Sequence, residues 1–201
     1  SLYGEPDKVT DIVLSHAHPD HIGGLTDKEG NPVFPNADIY LAREEYDFWM
    51  SPNPDFSRST MTDKAHMEML VEVAQKNIRS VTNKLHLFQK NEDLLGCLQM
   101  IPAPGHTPGH TIIRIHSGDE EVYHIADVVH SEIISFEHPK WIYNSDTDYR
   151  IGIETRRKVL AQLATNGALF FAYHLPWPGL GYVKSVNGRY EWVQKKVAMP
   201  Y

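Results

Sequence analysis

Three histidines and an aspartate fall within the six residues from His16 to His21, in the stretch Ser15-His16-Ala17-His18-Pro19-Asp20-His21. Imidazole and carboxylate are the ligands that zinc and its first-row neighbours take. The run Ile12-Val13-Leu14 just before is short and β-branched, which reads as a buried strand. Pro19 bars the motif from a strand or helix interior, so it sits on the loop where that strand ends. In extended chain alternate residues share a face, so His16 and His18 aim at one point, and after the turn Asp20 and His21 aim at a second. That spacing suggests two metals. A polar turn with exposed histidines is the alternative, but by composition H-x-H-x-D-H arises by chance in roughly one such chain in several hundred.

Three further positions repeat the pattern of an apolar strand followed by a ligand type. Pro102-Ala103-Pro104-Gly105-His106-Thr107-Pro108-Gly109-His110 follows a strand ending at Ile101. Its prolines and glycines make a rigid loop, which presents a ligand without ordering entropy on binding. His106 is the expected ligand, and His110, opening the next strand, is expected to hydrogen-bond behind it. Asp127 closes Val122-Tyr123-His124-Ile125-Ala126, where an unpaired carboxylate would be costly, and its two oxygens suit a bridge between cations. His174 ends the apolar stretch Leu169-Phe170-Phe171-Ala172-Tyr173. His130, three residues after Asp127, is read as a supporting residue. Aromatic residues near loop ends (Phe48, Trp49, Phe136, Trp141, Tyr143, Tyr173 and Trp177) suggest an apolar pocket wall, with Trp177 between two prolines the foremost candidate.

The elements that must position these residues follow from periodicity. Strands are expected at Ala37–Leu41, Leu85–Phe88, Leu98–Ile101, Thr111–Ile115 and Glu121–Ile125, the fourth half-buried by its alternation. A short helix is expected over Ala42–Met50. A longer one runs from about Asp63 to Arg79, capped by Thr60 or Thr62, with Met67, Leu70, Val71, Ala74 and Ile78 as its buried stripe. The chain has 201 residues, 41% of them hydrophobic, enough for one domain over 1–201 with a proper core. A formal charge of −7 excludes a basic nucleic-acid surface, so no nucleic-acid partner is expected. No apolar run of about 18 residues is present for a membrane span. A single cysteine, Cys97, excludes an intrachain disulfide framework. The opening residues carry no basic-then-apolar signal, and cytoplasmic and periplasmic locations both stay open.

The ordered set His16-x-His18-x-Asp20-His21, His106 in G-H-T-P-G-H, Asp127 and His174 resembles the metallo-β-lactamase superfamily. Asp127-Val128-Val129-His130, Asp146-Thr147-Asp148, Arg156-Arg157-Lys158, the stretch 172–181 and Tyr190-Glu191-Trp192 are similar to its methyl parathion hydrolase branch, whose relatives include lactonases and glyoxalase II-like enzymes. The resemblance implies an α/β fold, an αββα sandwich with a dinuclear site at one edge. His16, His18 and His106 would hold the first metal and Asp20, His21 and His174 the second, with Asp127 and a hydroxide bridging. It implies a metal-dependent hydrolase of an ester, lactone or phosphotriester, with Asp20, Asp127 and His174 catalytic. Two divalent ions are implied, zinc first, with iron, manganese or nickel as alternatives. A glyoxalase II-like thioester hydrolase and a non-catalytic relative that only binds metal are the competing readings. The family's strand-rich first half is not seen before the first motif. A bare apolar sheet face is therefore expected, and with it a homo-oligomer or association with a missing N-terminal segment.

Overall fold

Alternation along one central strand shows how the layers are made. The computed structural model describes residues 4–197. Strand β1 (Asp11–Val13) pairs in parallel with β2 (Asp38–Ala42), which pairs in parallel with β3 (Leu85–Phe88). Ile39 and Leu41 of β2 face one way, into a core shared with Trp49 of α2 (Arg43–Trp49) and Leu70, Ala74 and Ile78 of α3 (Lys64–Ser80). Tyr40 and Ala42 face the other way, toward a second sheet, as a period of two requires.

That second sheet has seven strands, β4 (Asp93–Leu94), β5 (Leu98–Pro102), β6 (Thr111–Ser117), β7 (Glu120–His124), β8 (Phe170–Phe171), β9 (Leu180–Val186) and β10 (Arg189–Gln194). Their spatial order is β10-β9-β8-β7-β6-β5-β4, antiparallel except where β7 runs parallel to β8. Leu94, Met100 and Ile113 pack across the inter-sheet gap on Ala42 and Phe88. On the opposite face Ile112, Phe170 and Val183 meet Val159, Leu160 and Leu163 of α5 (Tyr149–Asn166) and Phe136 of α4 (Ile134–Glu137). Helices, sheet, sheet and helices therefore stack in the expected αββα order. No helix among the described residues is long and apolar enough to cross a membrane.

Several local expectations need correction. Helix α3 is capped by Asp63, whose carboxylate accepts the His66 N–H at 3.2 Å, and not by Thr60 or Thr62. Its stripe is buried at Leu70, Ala74 and Ile78, while Met67 and Val71 are only partly covered. Strand β6 does not alternate: Thr111, Ile112 and Ile113 are all buried, because this end of the strand is covered on both faces. Beyond the cover, Ile115 is 42% exposed. The bare apolar sheet face is not found either, since among the described residues Ile115 is the one markedly exposed large apolar side chain on a strand. Exposed apolar surface gathers instead at Ile133, Ile134, Trp141 and Ile142.

Candidate metal centre

Strand direction brings the four motifs to one edge. Strands β7 and β8 are parallel, so the segments after them, with Asp127 and His174, emerge side by side. Strand β6 is antiparallel to both β5 and β7, so the loop 103–110 that joins β5 to β6 opens at that same end. The first motif is tied in by the backbone, with the Thr111 N–H donating to the Ser15 carbonyl at 2.9 Å. Pro19 does not leave the motif wholly in a loop. It opens a one-turn helix, α1 (Pro19–Ile22), on which Asp20 and His21 are carried. Ala126 turns the chain into Asp127 with a left-handed φ of 42°, an arrangement that costs about 1 kcal/mol in an L-residue.

The side chains form two groups that share Asp127. His16, His18 and His106 are all buried, with ligand atoms within 4.8 Å of one another, and the same limit holds for Asp20, His21, Asp127 and His174. Asp127 Oδ1 lies 3.0 Å from His21 Nε2. Its Oδ2 lies 3.1 Å from His174 Nε2, 3.3 Å from His106 Nε2 and 3.9 Å from His16 Nε2. Asp20 Oδ2 is 3.4 Å from both His21 and His174. All seven ligand candidates of the sequence are thus brought together.

These groups fit a divalent cation on chemistry present in the protein itself. The Nε2 atoms of His16 and His18 are buried without a hydrogen-bond partner, a costly arrangement that a bound cation would resolve. Burial holds His16 and His18 well below the usual histidine pKa, so both are neutral and ready to donate a lone pair. Burial also opposes charge on His21 and His106, but the carboxylate of Asp127, with Asp20 or Asp146, outweighs it and raises each to about 9. Asp127 is held far below the carboxylate range, its burial overcome by hydrogen bonds from His106, His130, His174 and His21.

Around this cluster sit residues that hold it. Buried His110 is neutral, its pKa pushed down to about 3 by desolvation. Its Nδ1–H donates to the Ala103 carbonyl at 3.0 Å and its Nε2 accepts the Asp127 N–H at 3.2 Å, the supporting geometry expected of it. His130 Nε2 lies 3.2 Å from Asp127 Oδ2, and His106, Asp127 and His130 form a third close group. Sequence reasoning missed three buried charges. Asp146 accepts from His106 Nδ1 at 3.0 Å, and Arg156 lies 3.5 Å from Asp146 while donating to the carbonyls of Val128, Pro139 and Trp141. Glu45, fully buried on α2, accepts hydrogen bonds from both histidine loops. Burial pushes its pKa up, against the pull of those bonds.

The aromatic residues divide. Trp49 and Phe136 are core, and Phe48 packs partly buried beside Trp49. Trp177, the expected pocket wall, is 78% exposed. Tyr173 does stand at the cluster, its ring 4.7 Å from that of His21. Trp141 and Tyr143 line a hollow of about 570 Å³ with Met61, His66, His130, Ile134 and Ile142. His130 joins that hollow to Asp127. A further pocket of about 460 Å³, beneath α5, lies among Ile112, Tyr123 and Lys158 and holds none of the ligand candidates.

With this sandwich and this edge, the class follows: residues 1–174 match the family model of the metallo-beta-lactamase superfamily, and the chain belongs to that family. Among solved structures it is similar to AidC, a dizinc quorum-quenching lactonase in complex with its N-acyl homoserine product. The two are 40% identical with a TM-score of 0.92, over 96% of this chain and 67% of that one. The hydrolase AbOPH is 32% identical with a TM-score of 0.88, over 98% of this chain and 67% of that one. Among curated proteins, the putative transcription factor avaE of Aspergillus versicolor is 26% identical over 154 residues. That match covers 77% of this chain and 41% of the relative, so the chain spans less than half of that protein's length. The fold and the family are thereby established, and the hydrolases among these relatives support a metal-dependent hydrolase.

Proposed function

We propose that this chain is a dinuclear hydrolase of uncharged lactones or esters, with neutral aryl phosphotriesters as the neighbouring substrate class. The observation that carries the reading is Asp127, whose carboxylate lies within 4 Å of histidines of both groups, Oδ2 near His16, His106 and His174 and Oδ1 near His21. His16, His18 and His106 would hold one cation, Asp20, His21 and His174 the other, and Asp127 both. Two such cations, zinc first, would supply hydroxide near neutral pH and Lewis acidity at the oxygen under attack. Asp20, with its side chain 44% exposed, takes up and passes on the proton at its Oδ2. His110 and Asp146 keep Asp127 and His106 aimed.

The hollow supports the uncharged class. Apart from His66, His130 and Tyr143 its lining has no titratable side chain, and Ile134, Trp141 and Ile142 offer exposed apolar surface. A glutathione thioester would need basic anchors that this lining lacks. The lactonase named among the structural relatives and the resemblance to the methyl parathion hydrolase branch point to the same substrate range. The test is a panel of an N-acyl homoserine lactone, an aryl ester, an aryl phosphotriester and a glutathione thioester, each with and without a chelator. Chelator-sensitive turnover of the uncharged substrates, restored by zinc, is expected. Preference for the thioester would reverse the substrate assignment.

A further inference from the structure

We infer that Glu45 is a positioning residue, clamping the two separate loops that hold the first metal triad; the inference rests on the metal-centre reading above. Its carboxylate is fully buried and bonded across 28 and 64 residues of sequence. Oε1 accepts the Ala17 N–H at 2.9 Å and the Trp49 indole N–H at 2.6 Å. Oε2 accepts the Thr107 hydroxyl at 2.6 Å and the Gly109 N–H at 2.9 Å. Ala17 lies between His16 and His18; Thr107 and Gly109 follow His106. The two loops that carry the triad are thus fastened to one rigid group on α2. Trp49, held by the same oxygen, puts its ring edge-on to His18 at 5.5 Å.

The chemistry needs a carboxylate. All four partners present a proton to Glu45, and only an ionised carboxylate offers two oxygens that accept and never donate. Among the described residues no ion pair involves Glu45, so its charge is compensated by these four donors. Gly109 completes the fit. A Cβ there would lie 2.2 Å from the Glu45 backbone nitrogen, so the loop approaches α2 as closely as it does because position 109 has no side chain.

Glu45→Gln keeps size and shape but turns an NH2 toward at least one backbone N–H. Thr107→Val removes one donor, and Thr107→Ser keeps it. The protein is stripped, and zinc affinities are measured by competition with a chromophoric chelator, with elemental analysis for stoichiometry and thermal melts of the metal-free chain. For Glu45→Gln the affinity of the His16–His18–His106 site is expected to fall about 10–100-fold, with the second site within about threefold. Thr107→Val should lose a few-fold at the same site, and Thr107→Ser should match wild type. Unchanged affinity in Thr107→Val and Glu45→Gln, or equal weakening of both sites along with the melting temperature, would overturn the clamp. Should Glu45→Gln not fold, the Thr107 pair decides. A wild-type chain that binds no zinc would instead remove the metal-centre reading itself, a result visible before any variant is made.

Discussion

Asp127 is the residue on which the two histidine groups depend. Asp127→Ala is expected to reduce metal content and to lower turnover by more than the 10–100-fold usual for supporting residues, read by elemental analysis and steady-state kinetics. Wild-type turnover in that variant would remove Asp127 from the site. A second expectation concerns protons. In the metal-free chain His21 and His106 titrate at about 9 and so carry protons at pH 7.5. A histidine must lose its proton to ligate. His16 and His18 are already neutral and release none. Calorimetric zinc titrations in buffers of differing ionisation enthalpy should therefore show about two protons released from these histidines at pH 7.5, and a third where the bridging water ionises to hydroxide, with affinity rising as pH approaches 9. The metal-free fold carries the linked sign. Stability from these two raised histidines is complete below about 6.5 and is lost as pH rises through about 9. His110 and His124, depressed by burial to about 3 and about 4, contribute stability present above about 6.5 and lost as pH falls toward those values.

At the scale of elements, the start of α5 matters to the centre. Asp148 caps this helix by accepting from Arg150 and Ile151, and its own N–H donates to Gly105 at 3.0 Å, beside the loop of His106. Asp148→Ala should cost about 1 kcal/mol in a denaturant melt and lower zinc affinity modestly, while Asp148→Asn keeps most of both. Much of this arrangement is legible in the sequence. The four ligand segments each follow an apolar run, and β-branched alternation and the Pro/Gly punctuation mark the strand ends where they stand. What is not legible depends on partners far away in the chain. Glu45 reads as one more acid in Arg43-Glu44-Glu45, yet it shares a helix face with Trp49 four residues on, and a charge on an apolar face is the signal that was available. Asp146 and Arg156 gain a role at the site only once the segment leading into α5 and α5 itself pack beside the loop of His106. Trp177 misleads because two flanking prolines restrict its backbone without deciding which way its ring faces.

For the molecule as a whole, the proposed metal centre predicts that stability and metal content are coupled. Two neutral, buried histidines whose Nε2 atoms lack a hydrogen-bond partner are costly in the metal-free chain, so the fold would gain what bound ions supply. At free zinc a thousandfold above the dissociation constant, each site should add about 4 kcal/mol, raising the melting temperature with zinc concentration. Leu160→Ala, beneath α5 and away from the ligands, should cost about 2–5 kcal/mol with zinc stoichiometry unchanged. Self-association remains a proposal for light scattering. Its structural basis is the short edge of β1, unpaired among the described residues, and the apolar surface at Ile133–Ile142, not an open sheet face. The most direct test of the dinuclear centre is elemental analysis of wild-type protein after zinc loading and dialysis. Close to two zinc ions per chain, falling toward one in His174→Ala, is the expected result; one ion or fewer in the wild-type chain would contradict it.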